Sequence, residues 1–320
     1  MSASGGNRAI LAALGANLGI AVAKFVGFLV SGSSSMLAES VHSLADTSNQ
    51  GLLLLGGRRS RKLADADHPF GYGRERYVYA FVVSIILFSI GGVFSLYEGF
   101  EKITHPHELE NAIVPIIILI VAIGLEAFSF RTAIVESNHV RGKQGWIEFI
   151  RRAKAPELPV VLLEDFAALI GLVLALSGVT LTVITGNPVF DAIGTICIGV
   201  LLVLVAIVLG IETKSLLVGE GANPDDTVKI RDAINAQPEV EALIHMKTLY
   251  LGPDELLVAA KVAFGRTQKL TEVAASINDV EAAIREAVPA ARVIYIEPDV
   301  YSAPNEANPA TDVFVIKAAD

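Results

Sequence analysis

Cysteine is nearly missing from this 320-residue sequence, with Cys197 standing alone. An internal disulfide framework and a thiolate-rich metal site are therefore excluded. Cys197 lies inside an apolar segment and reads as a small core residue. Charge is scarce too, at 18% of residues against 52% hydrophobic ones, which excludes an ordinary soluble domain. Basic charge is thin where acidic charge collects. The net charge is −9, and from Gly221 onward 16 acidic residues face 9 basic ones. Such a surface argues against nucleic acid as a partner, which needs a basic footprint. A small-residue cleavage signature is also missing after the first apolar run. Ala9–Val30 therefore reads as a retained first span rather than a signal peptide.

What is present is long apolar blocks. Six approach or reach the length that crosses about 30 Å of hydrocarbon as a helix. They are Ala9–Val30, Ser35–Gly56, Tyr77–Phe100, Ile113–Ile134, Leu158–Ile184 and Val189–Ile211. Their connections alternate in charge. Arg58, Arg59, Arg61, Lys62, Arg74 and Arg76 fill one, and Arg131, Arg141, Lys143, Arg151, Arg152 and Lys154 another. The positive-inside rule puts these two loops and both termini in the cytoplasm.

The second block carries a polar stripe. Glu39, His42, Asp46 and Asn49 recur at intervals of three, four and three, which places them on one face of a helix. Ionisable groups at membrane depth cost several kcal/mol (about 3 on insertion scales) unless they face a partner or water. The fifth block adds Glu164 and Asp165, side by side and without a lysine or arginine in the segment. Adjacent residues point about 100° apart on a helix, so these two carboxylates face different neighbours. The combination is an anionic deficit that a cation, protons or both would fill. Other polar residues in the spans read as structural. Asn17 suits an interhelical hydrogen bond, Lys24 suits snorkelling, Glu98 and Glu101 suit an interface, and Glu126 can pair with Arg131 one turn on. Asp191 suits the start of its helix after Asn187-Pro188. Ser137–Pro156 reads as a short amphipathic helix with Trp146 at headgroup level, and His139 is not counted as a ligand.

From Pro224 the pattern becomes that of a small α+β domain. Asp225–Gln237 is read as a helix, Ala242–Leu251 and Leu256–Phe264 as strands around Gly252-Pro253-Asp254, Leu270–Ala287 as a helix and Ala291–Glu297 as a last strand. The tail after Tyr301, including Val313–Lys317, is left unassigned.

Four stretches carry a family resemblance: Ser31–Gln50 (SGSSSMLAESVHSLADTSNQ), Asp65–Arg76 (DADHPFGYGRER), Val160–Leu169 (VVLLEDFAAL) and Ile244–Tyr250 (IHMKTLY). From about Asn7 to Asp299 the chain resembles the cation diffusion facilitators, proton-coupled exporters of divalent metals. Within them it is similar to a branch that includes a mitochondrial zinc transporter of animals. The resemblance implies an all-α six-helix transmembrane bundle over residues 1–215, with basic cytoplasmic loops at 58–76 and 131–156. A cytosolic α+β ferredoxin-like dimerisation domain follows over 216–301, and then a tail at 302–320. It implies a homodimer in a lipid bilayer, placed in the cell membrane, with divalent-metal efflux, zinc first, by proton antiport and alternating access.

It also implies a transport site between the second and fifth spans. His42 and Asp46 match it on one, and Asp165 on the other. The remaining position falls on Val161, which has no donor, so Glu164 is taken as the replacement, with Asn49, Glu39 or water as substitutes. In the loop, Asp65 and His68 match a secondary metal site whose second histidine is here Tyr72. They either hold a metal or fix the loop. In the soluble domain only His245 remains of the family's histidines, with Lys261, Tyr295 and Glu297 at or near the other ligand positions. No binuclear metal site is expected there.

One imidazole with carboxylates suits tetrahedral zinc, and the same set suits manganese, ferrous iron or cobalt. Ligands must deprotonate to bind metal, so loading releases protons, with His42 the first carrier. Two other classes are weighed: an intramembrane metalloenzyme, which lacks a further acid–base pair, and an assembly scaffold, which leaves the stripe unused.

Overall fold

The computed structural model describes residues 3–106, 109 and 111–301, with side chains from Asn17 onward. The tail lies outside the described residues. Two compact units divide after Gly219.

The first unit is helical. Its elements are α1 (Ala3–Ser31), α2 (Ser34–Arg59), α3 (Glu75–Ile86), a π-helical segment (Leu87–Val93), α4 (Phe94–Thr104), α5 (Ile113–Arg141), α6 (Trp146–Arg152), α7 (Glu157–Thr185) and α8 (Val189–Val218). Among the described residues four helices are long and apolar enough to cross a membrane: Glu75–Thr104, Ile113–Arg141, Glu157–Thr185 and Val189–Val218. The described apolar part of α1, Asn17–Ser31, is shorter. The polar stripe keeps α2 out of that group.

Local chemistry sets the boundaries. Gly32, at φ 64°, turns the chain between α1 and α2 where a side chain would be strained. Ser33 then caps α2 by accepting from the Met36 N–H, and Arg58 and Arg59 sit in its last turn, where cations suit the helix dipole. α7 ends on Gly186 in the left-handed region.

The core joins Met36, Leu87, Leu119, Leu172, Ile198, Leu202 and Leu209, all fully or almost fully buried. Small residues bring the helices close. A Cβ on Gly199 of α8 would meet the Leu96 backbone nitrogen at 2.8 Å, and one on Gly99 of α4 the Ile196 nitrogen at 2.9 Å.

Two expectations change here. The third span is not one continuous α-helix, because Leu87–Val93 takes π geometry around Gly91 and Gly92. Cys197 is exposed on the outer face of α8 rather than packed in the core.

The short helix expected within Ser137–Pro156 is narrower, because Ser137–Arg141 continues α5 and only Trp146–Arg152 forms α6. Its Phe149 is buried with Ala133 of α5 and Leu162 of α7, while Ile147 points outward and Arg141 lies over the Trp146 ring at 4.3 Å.

The second unit is α9 (Pro224–Asn235), β1 (Val240–Gly252), β2 (Glu255–Phe264), α10 (Leu270–Ala287) and β3 (Ala291–Asp299). The sheet order is β1-β2-β3. β2 and β3 run parallel with Lys261 opposite Glu297, so α10 is the crossover that parallel neighbours require. Ile230, Ile234, Val258, Val262, Val280 and Ile284 form its core.

Candidate metal site

The stripe on α2 is real, and each of its members has a different partner. His42 is 1% exposed, with its Nε2 3.4 Å from Asp46 Oδ2 one turn along. Neither ring nitrogen makes a hydrogen bond, and Asp46 Oδ1 is likewise without a partner. Behind the ring lies the π-helical segment, where a Cβ on Gly91 would sit 3.8 Å from Nδ1. Asn49 Nδ2 reaches across to α7 and donates to Glu164 Oε1 at 2.7 Å.

The adjacent acids of α7 face apart, as their 100° separation requires. Glu164 turns to α2, whereas Asp165 accepts from Ser129 Oγ of α5 at 2.8 Å. Of the four predicted transport ligands, the structure thus sets His42 beside Asp46, and Glu164 against the same helix one turn further on. Asp165 is directed at α5. Among the described residues no three His, Cys, Asp or Glu side chains converge at ligand distance. Glu164, Glu126 and Asp165 nonetheless lie within electrostatic range of Asp46.

Lys24 and Glu39 correct the sequence reading. Lys24 does not snorkel. Its ammonium is 1% exposed and donates to Glu39 Oε2 at 2.9 Å and to Ser43 Oγ at 2.7 Å. Glu39 is therefore the counterion of Lys24, and the bundle holds a compensating base after all. The signal was available. Lys24 lies eight residues before Gly32 and Glu39 seven after it, so an antiparallel α1–α2 pair sets them at one depth. Asn17 behaves as expected and donates to Gln50 Oε1 at 3.0 Å. Glu126 does not pair with Arg131, and no ion pair joins them among the described residues.

Asp191 is the residue sequence reasoning undervalued. It opens α8, but its carboxylate serves α2. Oδ2 accepts from Ser34 N at 2.8 Å and Ser34 Oγ at 3.2 Å, while Oδ1 accepts from Ser33 Oγ at 2.9 Å and from Ser35 Oγ. A carboxylate at a helix N-terminus also meets the favourable end of the dipole. Nearby, Lys102 Nζ donates to the Gly32 carbonyl at 2.9 Å. The run of three serines after a turn glycine was the missed signal.

The loop residues form their own cluster. Lys62 Nζ is 2.8 Å from Asp65 Oδ2 and 2.6 Å from the Tyr72 hydroxyl, which donates to the same carboxylate at 2.7 Å. The His68 N–H closes on Asp65 Oδ1 at 2.9 Å, and its ring stacks on Tyr72 at 4.3 Å. These contacts, hydrogen bonds from Lys62 first and then Tyr72, hold the Asp65 carboxyl well below the usual carboxylate range. They describe a fixed loop with a lysine already at the acid.

In the second unit Lys261 is 2.9 Å from Asp299 and 3.2 Å from Glu297, so an ammonium neutralises the acids beside Tyr295. A cleft there is lined by His245, Lys247, Tyr295 and Glu297.

Comparison with known proteins adds the lineage. Residues 10–218 match the cation efflux transmembrane domain. The chain is 32% identical over 243 residues to the proton-coupled zinc antiporter SLC30A9, mitochondrial, of Mus musculus, covering 75% of this chain and 43% of that protein. It is 30% identical over 259 residues to metal tolerance protein C4 of Arabidopsis thaliana, covering 80% and 57%. It is 26% identical over 234 residues to the cation-efflux pump FieF of Serratia proteamaculans, covering 73% of each. The chain thus spans about half the length of the mouse and plant relatives.

Proposed function

The chain belongs to the cation efflux family, and on that premise we propose that it exports a divalent metal cation, zinc first, across a membrane in exchange for protons. The observation that carries this reading is His42. A buried imidazole with neither nitrogen hydrogen-bonded, one turn from a carboxylate with a free oxygen, is a donor set awaiting a cation. The relatives named above as a zinc antiporter and an efflux pump support transport rather than catalysis.

In this proposal His42 and Asp46 supply the α2 ligands, and Glu164 and Asp165 the α7 ligands. Metal arrival draws Asp165 from Ser129 and Glu164 toward Asp46, completing nitrogen and oxygen coordination around zinc. Protons released on loading return on unloading, and alternating access of six spanning helices carries the exchange. The soluble unit is read as a ferredoxin-like cytosolic domain that pairs two protomers without metal, since Lys261 already neutralises its acids. Asp65 and His68 are read as fixing their loop. The two basic loops support a reading in which both termini are cytoplasmic and the membrane is the cell membrane. Manganese, iron and cobalt are the competing cargoes for this oxygen-weighted donor set.

The test is metal-dependent proton flux in proteoliposomes with an entrapped pH probe, offered zinc, manganese, iron and cobalt in turn. Wild-type flux abolished by Asp46→Ala and Asp165→Ala is expected. A wild-type protein giving no flux with any of the four would sink the exchange reading.

A further inference from the structure

Lys24 and Glu39 lie one turn from the proposed ligands, yet the mechanism above gives them no part. Their geometry suggests one. The Lys24 ammonium is clamped between Glu39 Oε2 and Ser43 Oγ, with all three residues buried. Ser43 is adjacent to His42, and Asp46, with its Oδ1 unpartnered, lies three residues beyond it on the same helix. Three residues of helix rise about 4.5 Å, within the sweep of a four-carbon lysine stem. A tethered cation thus sits within reach of the same carboxylate that a divalent ion would use.

We propose that Glu39 is a positioning residue that parks Lys24, holding its ammonium off Asp46 so that the metal can take that place. The idea deepens the transport reading and rests on Asp46 being a ligand. Glu39 Oε1, which has no hydrogen-bond partner, points at α7. It fills the space over Gly171, where a Cβ would come within 2.6 Å of it. Removing the charge of Glu39 leaves a buried ammonium that must find another carboxylate, because an unpaired buried charge seeks a partner. Asp46 lies one turn beyond Ser43 on the same helix. Lys24 then competes with zinc from inside the protein. Gly171→Ala is a second route to the same release, since the new methyl displaces the Glu39 carboxylate without altering any charge.

The test measures zinc affinity of the purified full chain by competition with a chromophoric chelator, beside its thermal unfolding. Glu39→Gln is expected to weaken zinc binding by about tenfold or more, the scale of one added cation beside a ligand. Adding Lys24→Met to Glu39→Gln is expected to restore binding to near the wild-type value, because the competitor has gone. A merely structural role would not give that rescue at unchanged melting temperature. Wild-type affinity in Glu39→Gln overturns the proposal, and so does a folded double variant that stays as weak as the single. If Glu39→Gln does not fold, the double variant, which buries neither charge, still decides: loss of zinc there would make Glu39 a ligand. Asp46→Asn separates the two readings. Zinc held undiminished by that variant overturns the site itself, whereas its loss with wild-type affinity in Glu39→Gln overturns only the parking.

Discussion

Asn49 of α2 donates a 2.7 Å hydrogen bond to Glu164 of α7, while the neighbouring Asp165 is held by Ser129 of α5. The pair fixes which of the two adjacent acids faces the imidazole helix. In metal sites a residue that orients a ligand matters nearly as much as the ligand. Asn49→Ala is therefore expected to weaken zinc binding about tenfold, with Glu164→Gln weakening it further. Chelator competition on both variants measures this, and an Asn49→Ala protein with wild-type affinity would remove Glu164 from the site.

Asp191 ties α8 to the start of α2 through Ser33, Ser34 and Ser35. Asp191→Ala leaves a buried backbone N–H and three hydroxyls without their acceptor. A loss of about 2–4 kcal/mol is expected, on the scale of orphaned buried donors and a lost helix cap. Asp191→Asn, which keeps one acceptor oxygen, is expected to fall between. Unfolding in detergent gives the order, and equal stability of Asp191→Ala and wild type would show that the serines are satisfied elsewhere.

The Asp65 loop carries a pH signature. Its carboxyl is held below the usual range by Lys62, then Tyr72 and the His68 N–H. A depressed acid contributes order that is fully present above its unfolded value, about 3.9, and is lost as pH falls through the lower folded value. The loop is thus expected to keep its protease resistance near pH 4. Lys62→Met moves the loss upward, toward the ordinary aspartate value. Because the cluster is exposed, salt is expected to shrink the difference. Cleavage profiles that coincide for both proteins between pH 3 and pH 5, a window of about one unit either side of that value, would rule out the Lys62 contribution.

Gly199 faces Leu96 with no room for a methyl group, the Leu96 Cγ and backbone nitrogen both standing 2.8 Å from where its Cβ would be. Gly199→Ala forces α4 and α8 apart and is expected to cost about 1–3 kcal/mol. Gly19→Ala, with open space at its Cβ, is the control and is expected to cost little. Paired melting curves make the comparison, and a Gly199→Ala protein as stable as Gly19→Ala would show that the contact with Leu96 carries no penalty.

How much of this could be read in advance differs by element. The elements of the second unit were legible to within about two residues, because short alternating strands around Gly252-Pro253-Asp254 and an 18-residue periodic helix leave few other arrangements. The stripe on α2 was equally plain, since helical spacing is a property of the chain itself. What the chain could not display is rotation between helices. Whether Glu164 or Asp165 faces α2 depends on how α7 is turned, and Ser129 and Asn49 decide that from other segments. Lys24 was misread because a lone lysine was judged against its own helix, although its depth relative to Gly32 matched that of Glu39. Glu126 was misread in the same way, being matched to Arg131 along one helix.

The π-helical stretch Leu87–Val93 has one more consequence. Closing its hydrogen bonds at i→i+5 gathers an extra residue into the turn, so α4 is out of phase with α3 by about one residue, roughly 100°. Below the stretch, Tyr77, Ala80, Val83 and Ser84 face inward; above it, Ser95, Gly99 and Lys102 do. The third span is thus two helices of different register spliced beside His42. A deletion of one residue between Phe88 and Ile90 that turned it into a plain α-helix would shorten the span by one position. The upper glycine face would stay against α8, because the deletion removes the same one-residue offset that the π turn absorbs, whereas α geometry forced on the undeleted segment would swing it away by roughly 100°.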